Sequence, residues 1–267
     1  MRSIPAVAFV LLCPVFALAH DTWVQTNTNL IRLGDAVYVD LMLGNHGNLH
    51  RDFKLASKID LDGCELQVRT PGGKRVDLKE ALIDRGLAPK EGYWSAKFVG
   101  SEAGMYVVEH RMDRIAKHGK PVRSIRNGKT YFVASPSLDN IPIPSTGYER
   151  PTNHGLELIP VTDPVAALGP AERISVKLLL QGKPFSDAKV SFIPRGETLE
   201  GDFDDEYERK TDAQGLAHFV PKTGNFYLIV AHHTDSSQSG SDFESTLYTA
   251  TLTLLVPETS RRASPSP

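Results

Sequence analysis

This chain has almost no cysteine. Two occur in 267 residues, Cys13 and Cys64, and Cys13 falls in the apolar N-terminal stretch. One remaining thiol excludes an internal disulfide framework, a Cys-x-x-Cys redox pair and a thiolate zinc cluster. An excess of charge of one sign is also lacking: 30 Lys and Arg oppose 32 Asp and Glu, for a net charge of −2. With no basic patch, no nucleic acid or anionic membrane is expected as partner. Beyond the N-terminus no apolar run reaches the length of a membrane span, so no direct membrane insertion is expected. Long helical periodicity is scarce. Catalytic signatures are absent too: there is no Gly-x-Ser-x-Gly elbow, no His-Glu-x-x-His and no phosphate-binding glycine loop. The residues single out no catalytic set and no organic cofactor site, and the chain reads as a non-enzyme.

What is present begins at the first residue. Arg2 is the only charge in residues 1–19, Ile4 to Ala17 is apolar, and Ala17-Leu18-Ala19 is a small-x-small cleavage site. These are the three parts of a secretory signal peptide. Pro5 and Pro14 interrupt it, and Leu12 stands where a lipobox needs a small residue before Cys13. The expectation is a periplasmic or secreted protein, cleaved after Ala19, whose mature N-terminus is His20.

The rest alternates in short runs rich in β-branched and aromatic residues, bounded by Gly, Asn, Asp and Pro. Strands are expected at 30–33, 36–43, 66–70, 93–98, 105–110 and 129–134. A second series is expected at 156–160, 174–181, 189–194, 216–220, 225–232 and 247–255. Gly34-Asp35, Pro71-Gly72-Gly73 and Thr211 to Gly215 supply turns. One segment reads as a helix, Asp77 to Arg85, with Asp77 as its cap, Glu80 three residues on and Gly86 as its stop. Residues 135–155 carry Pro136, Pro142, Pro144 and Pro151 and read as an extended connector. The expected fold is all-β, with two Ig-like or transthyretin-like β-sandwich domains in tandem and one short helix in the first. The boundaries are 1–19 for the signal peptide, 20–134 for the N-terminal sandwich and 135–155 for the linker. Residues 156–257 form the C-terminal transthyretin-like sandwich, and 258–267 a disordered tail.

Histidine carries the chemistry. A chain that begins with His20 offers two nitrogens on one residue, the α-amine and ring Nδ1, and the amine holds its proton loosely, with a reference pKa near ~8. A ring nitrogen from a second histidine completes a three-nitrogen site suited to Ni, Co or Cu. His46 sits between Gly44-Asn45 and Gly47, where backbone can approach a ligand. His232 and His233 close a strand, where neighbouring side chains point to opposite faces. Asp242 and Glu244 follow in a Ser/Gly-rich loop as oxygen ligands or orienting groups. His50, His110, His118, His154 and His218 read as surface, strand-end or packed residues, and Cys64 as a buried small side chain. The acidic stretch from Glu197 to Glu208 fits no calcium loop and reads as solvated.

The segment Gly182-Lys183-Pro184 through Val190, with Thr211-Asp212 and Gly215, resembles the transthyretin-like or carboxypeptidase-regulatory-like sandwich, a fold signal only. The whole mature chain resembles an exported domain-of-unknown-function family often labelled a periplasmic component of cobalt or nickel uptake systems. The resemblance rests on His20-Asp21-Thr22-Trp23, Gly44-Asn45-His46-Gly47, Gly104 to Val108, Leu156 to Pro164, Ala231-His232-His233 and Asp242 to Ser245. The family usually has Gly-His where this chain has Asn45-His46, and an acidic, aromatic insert where Arg111 to Lys129 is basic. The resemblance implies a periplasmic Ni, Co or Cu protein that binds the ion through His20, His46 and one of His232 and His233. A membrane metal-uptake transporter would be its partner. Two alternatives stay open, a copper-dependent monooxygenase built on the same histidine brace and a metal-free exported binding or adhesion module.

Overall fold

The computed structural model describes residues 20–44, 46, 61–88, 91–117, 120–138 and 146–261. The expected signal peptide, His50, His118, connector residues 139–145 and tail residues 262–267 lie outside the described residues. The strands are β1 (Asp21–Thr26), β2 (Leu30–Arg32), β3 (Ala36–Gly44), β4 (Cys64–Arg69), β5 (Arg75–Asp77), β6 (Ile83–Ala88), β7 (Glu91–Val99), β8 (Gly104–Ala116) and β9 (Val122–Ser135). After the connector come β10 (Leu156–Pro160), β11 (Ile174–Leu180), β12 (Lys183–Pro184), β13 (Lys189–Pro194), β14 (Glu208–Lys210), β15 (Leu216–Phe219), β16 (Asn225–Asp235) and β17 (Ser245–Val256).

The helix expected over Asp77 to Arg85 does not form. Only the 3-10 turn Lys79–Ala81 occurs there, and the chain continues as β6. Asp77 does cap locally, its Oδ1 accepting from Lys79 N at 2.9 Å. Leu78 is drawn into the core, however, and β6 pairs with β7 from Ile83 opposite Ser95. Pairing with a formed strand supplies backbone hydrogen bonds that a short helix must nucleate for itself at a cost. The fold is therefore all-β, with 3-10 turns and no α-helix among the described residues. No helix there is long and apolar enough to cross a membrane.

Three sheets form. One has the order β1-β3-β7-β6, a second joins β10, β11, β12 and β15, and a nine-stranded sheet runs β14-β13-β16-β17-β9-β8-β4-β5, with β2 beside β9. The large sheet crosses the boundary between the two halves: β17 pairs in parallel with β9 from Ser245 opposite Val122 to Thr253 opposite Thr130. The two series of strands are thus joined by backbone hydrogen bonds as well as by the connector.

Alternation makes the large sheet serve two cores. On β8 and β9, Met105, Val107, Tyr131 and Val133 pack toward the C-terminal sheet with Leu158, Val176 and Leu252. Their neighbours Tyr106, Val108, Phe132 and Ala134 pack the other way, against Val37, Val39 and Leu41 of β3. Successive strand residues face opposite sides, so one run of apolar residues fills both cores. Each such fully buried side chain contributes roughly 1.5–3 kcal/mol. The basic stretch from Arg111, where the family usually has an acidic, aromatic insert, extends the β8–β9 hairpin to Ala116 opposite Val122. The acidic stretch is also less solvated than expected. Glu208 opens β14 and is buried, its carboxylate accepting from Ser191 Oγ at 2.6 Å and pairing with Lys189 at 3.1 Å.

Candidate functional site

The first strand was not expected from the sequence, and it positions the site. Trp23 and Val24 are fully buried, and β1 pairs with β3 from Asp21 opposite Gly44 to Thr26 opposite Val39. One face of β1 presents Trp23 to Met42, Ile193, Leu228 and Val230. The strand is pinned from the large sheet as well: Thr251 Oγ1 donates to the Thr22 carbonyl at 3.0 Å, and Arg126 Nη1 donates to the His20 carbonyl at 2.8 Å. The residue after His20 also holds a histidine of β16, which continues three residues past His232 rather than ending there as expected. Asp21 Oδ1 lies 2.8 Å from His232 Nε2. Burial pulls the His232 pKa down, but the charge and hydrogen bond of Asp21 outweigh it and the net shift is upward.

His46 is 1% exposed, with its ring edge-on to Trp23 at 5.6 Å. Its φ of 64° is one that a side-chain-bearing residue keeps only where its surroundings fix it. Ile193 and Gly196 fix it here. His46 Nδ1 lies 3.1 Å from the Ile193 carbonyl, and Gly196 N donates to the His46 carbonyl at 2.9 Å. A carbonyl only accepts, so Nδ1 carries the proton and Nε2 carries the lone pair. Burial, with Arg195 adding to it, lowers the His46 pKa to about 3, so the ring is neutral. Its Nε2 is buried and has no hydrogen-bond partner among the described residues. A buried polar atom left unpaired calls for an explanation.

His110, read from the sequence as a bland strand end, supplies the contrast. It is equally buried, but its Nδ1 donates to the Glu65 carbonyl at 3.1 Å and its Nε2 accepts from Thr22 Oγ1 at 3.2 Å. Both ring nitrogens are used, and the residue anchors β1. Burial first, then the charge of Arg126, hold its pKa down at about 4 against one favourable backbone bond.

The structure places the candidate histidines at different points along β1: His20 and His232 at its start, and His46 further along, against Trp23. His20 leads into β1, Asp21 touches His232, and Gly44 opposite Asp21 lies two residues before His46. His46 meets the large sheet at Ile193, which pairs with Leu228, four residues before His232 and about 13 Å away along the strand. His233 turns away, because β16 continues regularly to Asp235 and adjacent residues alternate. It packs on Phe185 at 4.7 Å and Tyr248 at 6.2 Å. Glu244 is engaged elsewhere, with Lys120 at 2.9 Å. Among the described residues no three His, Cys, Asp or Glu side chains are grouped to hold a metal. A brace at a free N-terminus needs only two histidine side chains, because the amine is the third donor. Asp21, Arg126 and Thr22 were missed in the sequence because none carries a ligand signature of its own.

No curated protein matches the chain. Among solved structures it is similar to the D0-D1 domain of intimin at 13% identity, covering 87% of this chain and 97% of that one with a TM-score of 0.21. A DUF4785 family protein from Legionella pneumophila is 13% identical over 78% of this chain and 52% of its own, with a TM-score of 0.28. The Yersinia pseudotuberculosis adhesin InvE is 12% identical over 86% and 58%, with a TM-score of 0.23. The architecture accordingly rests on the strand pairings described above. A family model is matched across residues 17–235, from just before His20 to the end of β16, and the chain belongs to that family, DUF4198, a domain of unknown function.

Proposed function

We propose that this is an exported transition-metal-binding protein, which captures Ni, Co or Cu at a histidine brace formed by cleavage after Ala19. The observation that carries this reading is His46: a buried neutral ring whose Nδ1 proton is held by a backbone carbonyl while its Nε2 lone pair has no hydrogen-bond partner among the described residues. Metal-ligating histidines have this pattern, because the bonded nitrogen fixes the tautomer and the other is left to ligate. The α-amine and Nδ1 of His20 supply the other two donors. Asp21 and His232 flank them, and the carboxylate offsets the cationic Arg126 that holds the His20 carbonyl. Residues 156–257 act as a transthyretin-like scaffold, and a membrane uptake system receives the ion.

Isothermal titration of Cu(II), Ni(II) and Co(II) into the chain beginning at His20 tests this, with intact mass confirming the start. A control carries one extra alanine before His20, and a second carries His46→Ala. One ion per chain, with at least a tenfold loss of affinity in each control, is the expected result. Equal, weak binding in all three forms rejects the brace.

A further inference from the structure

The nine-stranded sheet ends at β5, and no strand among the described residues pairs with the outer side of Arg75–Asp77. The phase of the β4–β5 ladder fixes what that side offers. Leu78 N donates to the Leu66 carbonyl at 2.9 Å, and Thr70 N donates to the Lys74 carbonyl at 2.8 Å. Hydrogen-bonded pairs alternate along an antiparallel ladder, so Val76, opposite Val68, bonds inward to β4. The backbone N–H and C=O groups of Arg75 and Asp77 therefore point to the open edge.

An open edge is a template for another strand, and proteins blunt it with short, charged segments. β5 is short, and Arg75 and Asp77 are both exposed. An unrelated strand meets two unmatched charges there. A second copy of this chain does not. With β5 antiparallel to itself about a two-fold axis at Val76, Arg75 of each copy stands opposite Asp77 of the other. These are the positions whose backbone groups face outward, so each Arg75–Asp77 pair exchanges both of its backbone hydrogen bonds. Asp77 turns Oδ1 to Lys79 N at 2.9 Å, which leaves Oδ2 for the arginine. Val76 meets its own copy at the closer, non-hydrogen-bonded position, and it already packs on the N-terminal core. A register centred on Arg75 or on Asp77 instead sets like charges opposite each other, which is unfavourable.

We infer that the chain forms a two-fold homodimer by antiparallel pairing of β5 with β5, its register set by reciprocal Arg75–Asp77 pairs. A surface complementary to itself is what a closed two-fold dimer requires. Three residues a side bury little area, so the association is weak and depends on concentration. The inference does not rest on the metal reading: β4, β8, β9 and β17 separate β5 from β16, which carries His232.

Sedimentation equilibrium of the chain beginning at His20, from micromolar to millimolar concentration and with a chelator present, tests this. The expected result is a reversible monomer–dimer equilibrium. Arg75→Asp makes the edge acidic at both positions, and Asp77→Arg makes it basic at both. Each change alone should weaken dimerisation at least about tenfold, with melting temperatures reporting whether each variant is folded. Mixed in equal amounts, the two variants should pair with each other about as tightly as the wild type pairs with itself. The double exchange, Arg75→Asp with Asp77→Arg, should restore self-association. A wild-type chain that stays monomeric at millimolar concentration, single variants that dimerise as well as the wild type, or a mixture of the two folded variants that stays monomeric overturns the proposal.

Discussion

Lys129 on β9 and Glu157 on β10 form an ion pair whose side chains are 5% and 2% exposed. Glu157 also accepts from the backbone of Thr152 at 2.8 and 3.0 Å, from Thr152 Oγ1 at 2.9 Å and from Asn153 N at 3.2 Å. The pair therefore ties the large sheet, the C-terminal sheet and the connector at one point. Burial holds the Lys129 pKa down, against the pull of Glu157 upward.

Removing one partner leaves a buried charge alone. Glu157→Ala should destabilise the chain by about 3–5 kcal/mol, whereas the double change Lys129→Met with Glu157→Leu should lose less than that single one. Urea denaturation of the three forms measures the difference. A double variant as unstable as the single one would show that the backbone contacts of Glu157, not its charge pairing, dominate.

Asp21 orients His232 and stands next to the proposed amine ligand. Asp21→Asn should keep the fold, because the strand pairing from Asp21 to Thr26 is made by the backbone. It should lower metal affinity about 10- to 100-fold, as changes to groups that support ligands do. Titration of the same metals into this variant is the check, and unchanged affinity would remove Asp21 from the site.

Acid should unfold the protein in part through His110. Its pKa is about 4 in the fold against an ordinary 6.5, so the folded state favours the neutral ring. That contribution is complete above pH 6.5, and it is lost as the pH falls through the folded value. The slope is at most about 1.4 kcal/mol per pH unit for one group. His110→Gln should flatten the fall in stability between those limits, measured by urea titrations at stepped pH. A parallel pair of curves would contradict the assignment.

Gly215 closes the turn before β15 with φ +74°, and a Cβ there would lie 2.6 Å from the Leu178 carbonyl oxygen. That oxygen belongs to β11 backbone and cannot swing aside. Gly215→Ala should cost on the order of 1–3 kcal/mol, seen as a lowered melting temperature. Gly34, also at positive φ but with nothing within 4 Å of its Cβ position, should lose less on the same change.

Much of the strand content was legible because period-two alternation and turn residues are local signals. Val190 to Pro194 and Leu156 to Pro160 fall in strands whose limits the flanking Gly, Asp and Pro residues mark. Two local readings failed. Asp77 to Arg85 has a cap and a stop, yet too few turns to form a helix against the competing pairing with β7. Asp21 to Thr26 alternates poorly because both of its faces are covered: five of its six residues are buried. A strand buried on both sides loses the polar stripe by which it would be recognised.

Composition and local order, by themselves, determined an all-β chain without disulfide support. They also singled out His20, His46, His232 and His233 as candidate metal ligands, because donor type and position in a motif are properties of single residues. Only the tertiary structure decided that β17 joins β9, that His233 faces the core while His232 reaches Asp21, and that His46 keeps an unpaired nitrogen where His110 keeps none. Several of those outcomes depend on pairings between residues more than a hundred positions apart, such as Ser245 with Val122 and Asp21 with His232. Strand register converts such a pairing into a choice of face, and a one-residue slip would reverse every side chain on β16.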